Sequence, residues 1–267
     1  MELLLPYLFL YFMVFCFGIA IGSFLNVCIY RLPKEESLVK GASHCMTCGE
    51  KIKKRDLIPV ISWCLLRGKC RNCKAPISPR YTIVEFLTGV LFVLVFLFYG
   101  VDKNPLMASL TSLMFAALVV VFFMDWDTQL ISTPVVIFIG FLALLQLLGN
   151  QFLEKPLSDL TITSQLVGAL VISVPFFLIE LFSKGRAMGR GDVYLMIAGG
   201  LFIGVKAVVV AAFIGMITGS IVGMILKYKT GSSKFAFGPF LSLGIAVAAL
   251  YGNQLADLYL KFAGFIE

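Results

Sequence analysis

The chain has 267 residues, of which 60% are hydrophobic and only 14% are charged, and its mean hydropathy is +0.96. Soluble domains are about 45–50% apolar and about 25% charged, so this composition excludes an ordinary soluble domain and indicates a membrane protein. The net charge is +7, and twelve of the 22 Lys and Arg residues lie between positions 31 and 80, beside only four acids.

Long apolar runs along the chain predict membrane-spanning helices, because about 20 apolar residues are needed to cross the hydrocarbon core. The sixth run is short and rich in glycine. We expect an all-α polytopic membrane protein of about eight transmembrane helices, with a small cytoplasmic zinc-binding loop domain. The candidate spans are 3–30, 81–101, 106–124, 134–150, 162–182, 192–204, 207–226 and 235–251.

The basic segment 31–80 predicts the orientation, because cytoplasmic loops carry an excess of Lys and Arg. With this segment inside, the N-terminus is outside, and the turns at 125–133 and 183–191 are also inside. A basic patch can bind nucleic acid, but beside a membrane span it favours contact with anionic lipid. We predict three parts: a first helix (1–31), a cytoplasmic loop (32–80) and a membrane core (81–267).

Two Cys-x-x-Cys pairs within the basic loop predict a metal site. Cys45 and Cys48 are separated by 21 residues from Cys70 and Cys73. Four thiolates complete a tetrahedron around zinc and leave no open position for water, so we expect a structural zinc site. A redox pair or free thiols are the alternatives, and His44 is expected in a supporting or solvent-exposed role.

Carboxylates near the membrane are candidates for function, because a charge in hydrocarbon is costly. Asp125 and Asp127 end the third span, and their spacing turns them to different sides of a helix. Asp192 follows Gly189 and Gly191 and heads an apolar helix, where an acid suits the helix dipole. The two glycines permit close backbone approach or positive φ. Each feature alone also fits a solvated acid or a helix cap.

Asp125 and Asp192 are stronger candidates for catalysis together than separately, because the predicted topology places both at the same membrane face. Two carboxylates that converge there could share a proton and polarise a water for attack on an amide. A single histidine excludes a His-Glu-x-x-His zinc protease, and a Ser-His or Cys-His dyad would have to use His44 inside the cysteine loop.

Several motifs together resemble the type IV prepilin peptidase family, a group of Gly-x-Gly-Asp membrane aspartyl proteases. The stretches 22–33 and 45–81 are similar to its N-terminal signature and its zinc-loop pattern, and Glu85 follows as in the family. The string Gly189-Arg-Gly-Asp192 resembles the family's second aspartate motif. Asp125 occupies the position of the first catalytic aspartate.

The resemblance implies a bifunctional enzyme. Asp125 and Asp192 would cleave the basic leader of a prepilin or pseudopilin after a glycine, at the cytoplasmic face of the bacterial inner membrane. The enzyme would then methylate the new N-terminus with S-adenosylmethionine. Two positions depart from the common pattern: the first aspartate is followed by Ile131-Ser-Thr-Pro134, and Tyr194 stands where a lysine is usual.

The methyl-donor site is expected, by resemblance, near Ser23, Asn26, Arg31 and Glu85. A Rossmann-type cofactor site is excluded, because no Gly-x-Gly-x-x-Gly loop follows a strand. Three alternatives stay open: a peptidase without methyl transfer, a transporter with a cytoplasmic zinc module, and a non-enzymatic anchor for a secretion complex.

Overall fold

A computed structural model describes residues 4–41, 43–153, 157–231 and 235–264. The first three residues of the predicted first helix lie outside these ranges. Within them, extended pairing is limited to two isolated bridges, His44–Lys51 and Lys69–Pro76. The helices are α1 Leu4–Arg31, α2 Ile61–Leu65, α3 Arg80–Tyr99, α4 Pro105–Thr128, α5 Thr133–Phe152, α6 Ile162–Val171, α7 Ser173–Ser183, α8 Arg190–Thr230 and α9 Gly238–Phe262.

Seven helical segments of the described chain are long and apolar enough to cross a membrane, with α6 and α7 together making one of them. The expected all-α polytopic fold is therefore confirmed. The count of eight spans is approximate, because the predicted spans 192–204 and 207–226 both lie within the 41-residue helix α8.

The helix α8 contains a sharp reversal at Gly204. This residue has φ 80° and ψ 175°, a conformation essentially restricted to glycine. Gly199, before the reversal, packs against Ile245 of α9, and Ala211, after it, packs against the adjacent Gly244. Both arms of α8 therefore run beside the same part of α9 in opposite directions, and they correspond to the two predicted spans.

A smaller break separates α6 from α7. Pro175 has no N–H, so the carbonyl of Val171 loses the helical hydrogen bond that residue 175 would otherwise supply. α6 ends at that carbonyl, and α7 begins at Ser173. The predicted span 162–182 is thus helical throughout apart from this irregularity, which lies within the span.

The chain divides into two compact units, Met1–Val101 and Asp102–Glu267. In the first unit, α1 packs on α3 through small residues: a Cβ at Gly18 would lie 2.8 Å from the Gly89 Cα, and one at Gly22 would lie 2.7 Å from the Glu85 Cα. The cysteine loop connects these two helices, so the first unit joins the predicted first helix and loop with α3. As functional divisions, the three predicted parts stay predictions.

In the second unit, several helix ends meet. A Cβ at Gly191, in the first turn of α8, would lie 2.7 Å from the Ile131 Cβ in the turn between α4 and α5. Gly238, the first residue of α9, donates a hydrogen bond to Asp125 in the last turn of α4. The end of α4 and the starts of α5, α8 and α9 therefore gather around both predicted aspartates.

Candidate functional site

Asp125 is buried, with 5% of its surface exposed, in the last turn of α4. The helix ends three residues later, because Gln129 adopts a left-handed conformation (φ 54°) and its N–H closes on the carbonyl of Asp125 at 2.9 Å. The carboxylate Oδ2 accepts the backbone N–H of Gly238 at 2.9 Å. The side chain is thus held at the end of one helix by the start of another.

Asp192 is also buried, with 8% exposed. It is the third residue of α8 rather than its cap, and the cap position is taken by Gly189. Its Oδ2 accepts the N–H of Gly189 at 3.2 Å. Asp192 therefore satisfies a backbone amide at the start of the helix from the third position.

The two aspartates are brought together around one side chain, Ile131. A Cβ at Gly191 would lie 2.7 Å from the Ile131 Cβ, and a Cβ at Gly238 would lie 3.0 Å from its Cδ1. The carboxyl group of Asp125 is near enough to act electrostatically on that of Asp192. Carboxyl groups gathered around one side chain in this way can share a proton.

The two motif glycines have different roles. Neither adopts a positive φ. Gly191 permits close approach, since any side chain there would meet Ile131. Gly189 is extended (φ −81°) and contributes its backbone N–H to Asp192.

Gly238 is the residue of this site that sequence reasoning missed. A Cβ at this position would lie 2.7 Å from Asp125 Oδ2. The following Pro239 marks the start of a helix, which is a local signal. The contact with Asp125 spans 113 positions, and a single sequence gives no signal for a pairing at that distance.

Two other acids, Asp127 and Glu180, have different surroundings. Asp127 is exposed on α4, and its neighbour Trp126 is half exposed and stacks on Phe122. Glu180 is buried on α7 and forms an ion pair with Arg190 at the start of α8, with a Nε–Oε1 distance of 3.0 Å. The Glu180 charge is therefore matched by a neighbouring cation.

In the first unit, the four predicted cysteines converge. The Sγ atoms of Cys45, Cys48, Cys70 and Cys73 all lie within 4.8 Å of one another, and the Cys45–Cys73 pair is 3.8 Å apart. A zinc ion with Zn–S bonds of about 2.3 Å at tetrahedral angles places its sulfurs about 3.8 Å apart. The cluster therefore has the ligand set and the size of a four-thiolate metal site, complete without His44.

The two knuckles share one backbone pattern. The N–H of Cys45 bonds to the Glu50 carbonyl at 2.9 Å, and that of Cys70 bonds to the Ala75 carbonyl at 2.8 Å. The turn after each second cysteine is left-handed, at Gly49 (φ 70°) and at Lys74 (φ 60°). A left-handed conformation costs nothing for glycine but is sterically unfavourable for lysine. The fold of the second knuckle therefore keeps Lys74 in a strained backbone conformation.

An ion pair ties the second knuckle to the preceding turn. Arg71 donates from Nε and Nη2 to the two carboxylate oxygens of Asp56, at 2.8 and 2.6 Å. These hydrogen bonds hold the pKa of Asp56 below its ordinary value, against the opposing effect of desolvation. Because the folded pKa is lowered, the contribution of this pair to loop stability is present near neutral pH and is lost as the pH falls through that pKa.

A cavity of about 650 Å³ lies between the end of α1, the cysteine loop and the start of α3. It is lined by all four residues of the predicted methyl-donor region: Ser23, Asn26, Arg31 and Glu85. A cavity of this volume falls in the range of small-molecule sites.

Two of those four residues form hydrogen bonds that connect the segments lining the cavity. Asn26 Nδ2 donates to the carbonyl of Tyr81 at 2.9 Å and links α1 to α3. The Arg31 guanidinium donates to three loop carbonyls, those of Ser37, Lys40 and Gly41, at 2.8–3.0 Å. Ser23 and Glu85 lie beside each other deeper in the same wall.

Comparison with known proteins agrees with this division of the chain. Residues 16–99 match the bacterial peptidase A24 N-terminal domain, and residues 112–224 match the type IV leader peptidase family. The first match covers most of the cysteine-loop unit, and the second covers both aspartates. No solved structure shows a significant match.

Curated relatives match over nearly the whole chain. The prepilin leader peptidase/N-methyltransferase of Dichelobacter nodosus is 31% identical over 93% of this chain and 94% of its own length. The protein of the same name from Pseudomonas aeruginosa is 30% identical over 93% and 92%. The type 4 prepilin-like proteins leader peptide-processing enzyme of Escherichia coli is 32% identical over 89% and 92%. On this evidence, the chain belongs to the type IV leader peptidase family.

Proposed function

We propose that this protein cleaves the leader peptide from type IV prepilins or pseudopilins, using Asp125 and Asp192 to hydrolyse the bond that follows a glycine. The proposal rests on one observation above all. Two buried carboxylates from distant parts of the chain meet at one end of the second unit, each oriented by a backbone N–H. Membership of a leader peptidase family supports the same reaction.

The two carboxylates have different roles in hydrolysis, one as general base and the other as general acid. The ionised aspartate takes a proton from a water molecule, whose oxygen attacks the carbonyl carbon of the scissile bond. The protonated aspartate donates to the carbonyl oxygen. The carbon–nitrogen bond then breaks as the first aspartate gives the proton it took from water to the leaving nitrogen, which becomes the new N-terminal amine. The diol hydroxyl returns its proton to the second aspartate as the carboxyl product forms. One proton shared by the pair predicts a rate profile with two limbs against pH.

Incubation of a synthetic prepilin with the purified protein in detergent tests this proposal. Mass spectrometry should detect a free leader ending in glycine and a shortened pilin. Intact prepilin after long incubation, or cleavage at an unrelated bond, would refute it. A rate that rises or falls with a single limb across the accessible pH range would refute the paired mechanism.

We further propose that the cavity of the first unit binds S-adenosylmethionine and methylates the new amine. The names of the curated relatives support methyl transfer. The cavity fits such a ligand, because it combines a suitable volume with aromatic side chains (Tyr30, Trp63 and Tyr81) and the buried carboxylate of Glu85. When bound, this cofactor supplies an electrophilic methyl group, and the chain supplies its binding and orientation.

The main alternative is a peptidase that does not methylate. The intact mass of the processed pilin separates the two readings, since methyl transfer adds the mass of one methyl group. A pilin of unmodified mass, with the donor present, would leave the peptidase proposal standing and refute the proposed methyl transfer.

Zinc in the four-cysteine cluster is proposed to hold the cavity wall rather than to take part in chemistry, because four thiolates leave no open coordination position. We expect replacement of Cys70 by Ser to lower the bound zinc, measured by elemental analysis, and to abolish methyl transfer. Cleavage should fall less, because both aspartates lie in the other unit. Loss of cleavage with methyl transfer intact would contradict this assignment.

The ion pair between Glu180 and Arg190 gives a prediction that distinguishes a peptidase from a transporter. Arg190 is largely exposed, so solvent screens this ion pair and its contribution is small. We therefore expect Glu180→Gln to lower the initial cleavage rate by less than about tenfold, through a small shift of the first turn of α8. A transporter would instead depend on Glu180 as strongly as on the aspartates, so a loss as large as theirs would favour that alternative.

In the membrane, we propose a multi-pass inner-membrane protein with its N-terminus outside and both sites at the cytoplasmic face. The excess of Lys and Arg in the loop supports this orientation and a contact with anionic lipid. Labelling of the exposed Cys64 by an impermeant thiol reagent should therefore require opened cells. Labelling in intact cells would indicate the opposite orientation of the protein.

A further inference from the structure

Glu85 is a buried carboxylate in the wall of the first unit's cavity, with 9% of its surface exposed. Its Oε2 accepts the backbone N–H of Val60 at 2.7 Å, and the Ser23 hydroxyl lies beside it. Among the ion pairs of the described residues, none involves Glu85. Within the described residues, its hydrogen bonds therefore come from neutral donors, and no Lys or Arg forms an ion pair with it.

The backbone opposite this carboxylate is strained in a way that fixes its position. Val60 has φ 61° and ψ −54°, and the N–H of Ile61 closes on the Pro59 carbonyl at 2.6 Å. This is a γ-turn with positive φ, which is rare, and a β-branched residue adopts it at a cost of about 1–3 kcal/mol. The turn directs the Val60 N–H at Glu85, so one carboxylate oxygen is fixed.

A fixed carboxylate with lone pairs to spare can bind a cation. An ionised carboxylate accepts about four hydrogen bonds, and the Val60 N–H and Ser23 use at most part of that capacity. A buried charge is most favourable when an opposite charge occupies the space beside it. The cavity is that space, and its occupant should therefore carry a positive charge near Glu85.

The methyl donor proposed above carries a sulfonium charge that its product lacks, while both share the same α-ammonium and α-carboxylate groups. In the reaction, the bond between the sulfonium sulfur and the methyl carbon breaks, and its electron pair stays on sulfur, which becomes neutral. The methyl carbon bonds to the amine nitrogen, whose proton leaves to solvent. The cofactor thus loses its sulfonium charge in the step that consumes it.

We propose that Glu85 recognises the sulfonium charge of the methyl donor and so holds the charged donor in preference to the neutral product. The inference rests on the proposed methyl-transfer site and adds to it the selection of donor over product. The carboxylate stabilises the bound donor more than the transition state, in which the charge is already shared. Removal of the charge should therefore raise the KM for the donor without lowering kcat.

Calorimetry on the full-length protein in detergent tests this inference with two probes, S-adenosylmethionine and S-adenosylhomocysteine. We expect the wild type to bind the charged probe about tenfold more tightly, as one charge-assisted contact can provide. Glu85→Gln keeps an oxygen to accept the Val60 N–H but removes the charge. In this variant the two affinities should become nearly equal, because binding of the charged probe weakens and binding of the neutral probe does not.

The matched control is Glu35→Gln, which removes the same charge from an exposed position outside the cavity and should keep the tenfold preference. Unchanged binding of S-adenosylhomocysteine, together with the wild-type content of zinc, reports that the cavity unit of each variant is folded. An unchanged preference in Glu85→Gln would overturn the inference and leave Glu85 as a support for the γ-turn. Failure of both probes to bind the wild type would overturn the proposed methyl-donor site as well, while leaving proteolysis untouched.

Discussion

Replacing either Asp125 or Asp192 by Asn is expected to abolish prepilin cleavage. Asparagine keeps the shape of the side chain and can still accept the hydrogen bond from Gly238 or Gly189, so the helix ends should stay in place. What is lost is the proton transfer. A positioned acid or base contributes about 10²–10⁴-fold, and each half of a pair is required, so the loss should be at least about 10³-fold in kcat.

The control for this experiment is Asp127→Asn on the same helix. Asp127 is exposed, and the same change in charge there should leave cleavage within a few-fold of the wild type. Methyl transfer to a pilin that was cleaved beforehand should survive both aspartate substitutions, because the cavity residues lie in the other unit. Appreciable cleavage by Asp192→Asn, or an equal loss in all three variants, would refute the paired mechanism.

Gly238→Ala is expected to reduce cleavage by about 10²-fold, the loss that a misplacement of roughly 1 Å causes at a catalytic group. The added Cβ would lie 2.7 Å from Asp125 Oδ2 and 3.0 Å from Ile131 Cδ1. Either the carboxylate or the start of α9 must then move. Both movements break the hydrogen bond that orients Asp125. The rate should be measured under saturating prepilin, so that a change in kcat is separated from weaker binding.

Gly140→Ala is the matched control for this substitution. Gly140 lies within α5, and a Cβ there meets nothing within 4 Å. Alanine favours a helix over glycine by about 1 kcal/mol, so this variant should be at least as stable as the wild type and fully active. Similar activities for the two variants would show that the contact between Gly238 and Asp125 has no part in catalysis.

Local features of the sequence were sufficient to predict most helices and the metal cluster. Long apolar runs gave α3, α4 and α5 to within a few residues, because about 20 apolar residues have few alternatives to a membrane helix. The four cysteines were predictable for a similar reason: each pair lies within one turn, and the ligand set is complete within the loop. In both cases the determining interactions lie within a short stretch of chain.

The parts that could not be predicted depend on long-range contacts. The sequence predicts two spans, 192–204 and 207–226, and the long-range packing of both arms against α9 is what fixes the reversal between them at Gly204. The contact between Gly238 and Asp125 joins residues 113 positions apart. Glycines also occur within many helices of this chain, so composition alone does not mark the one that faces a carboxylate.

The reversal in α8 has a consequence for the surrounding bilayer. The arm from Arg190 to Gly204 comprises about 15 residues and therefore measures roughly 22 Å, whereas the hydrocarbon layer is about 30 Å thick. The arm cannot reach from one surface to the other. The backbone freed at the reversal is covered by protein, since Gly204 is buried against Leu160 and the Ser164 hydroxyl accepts the Val205 N–H there at 3.3 Å. Most residues of this arm are buried, so neighbouring helices rather than lipid surround the short segment that begins beside Asp192.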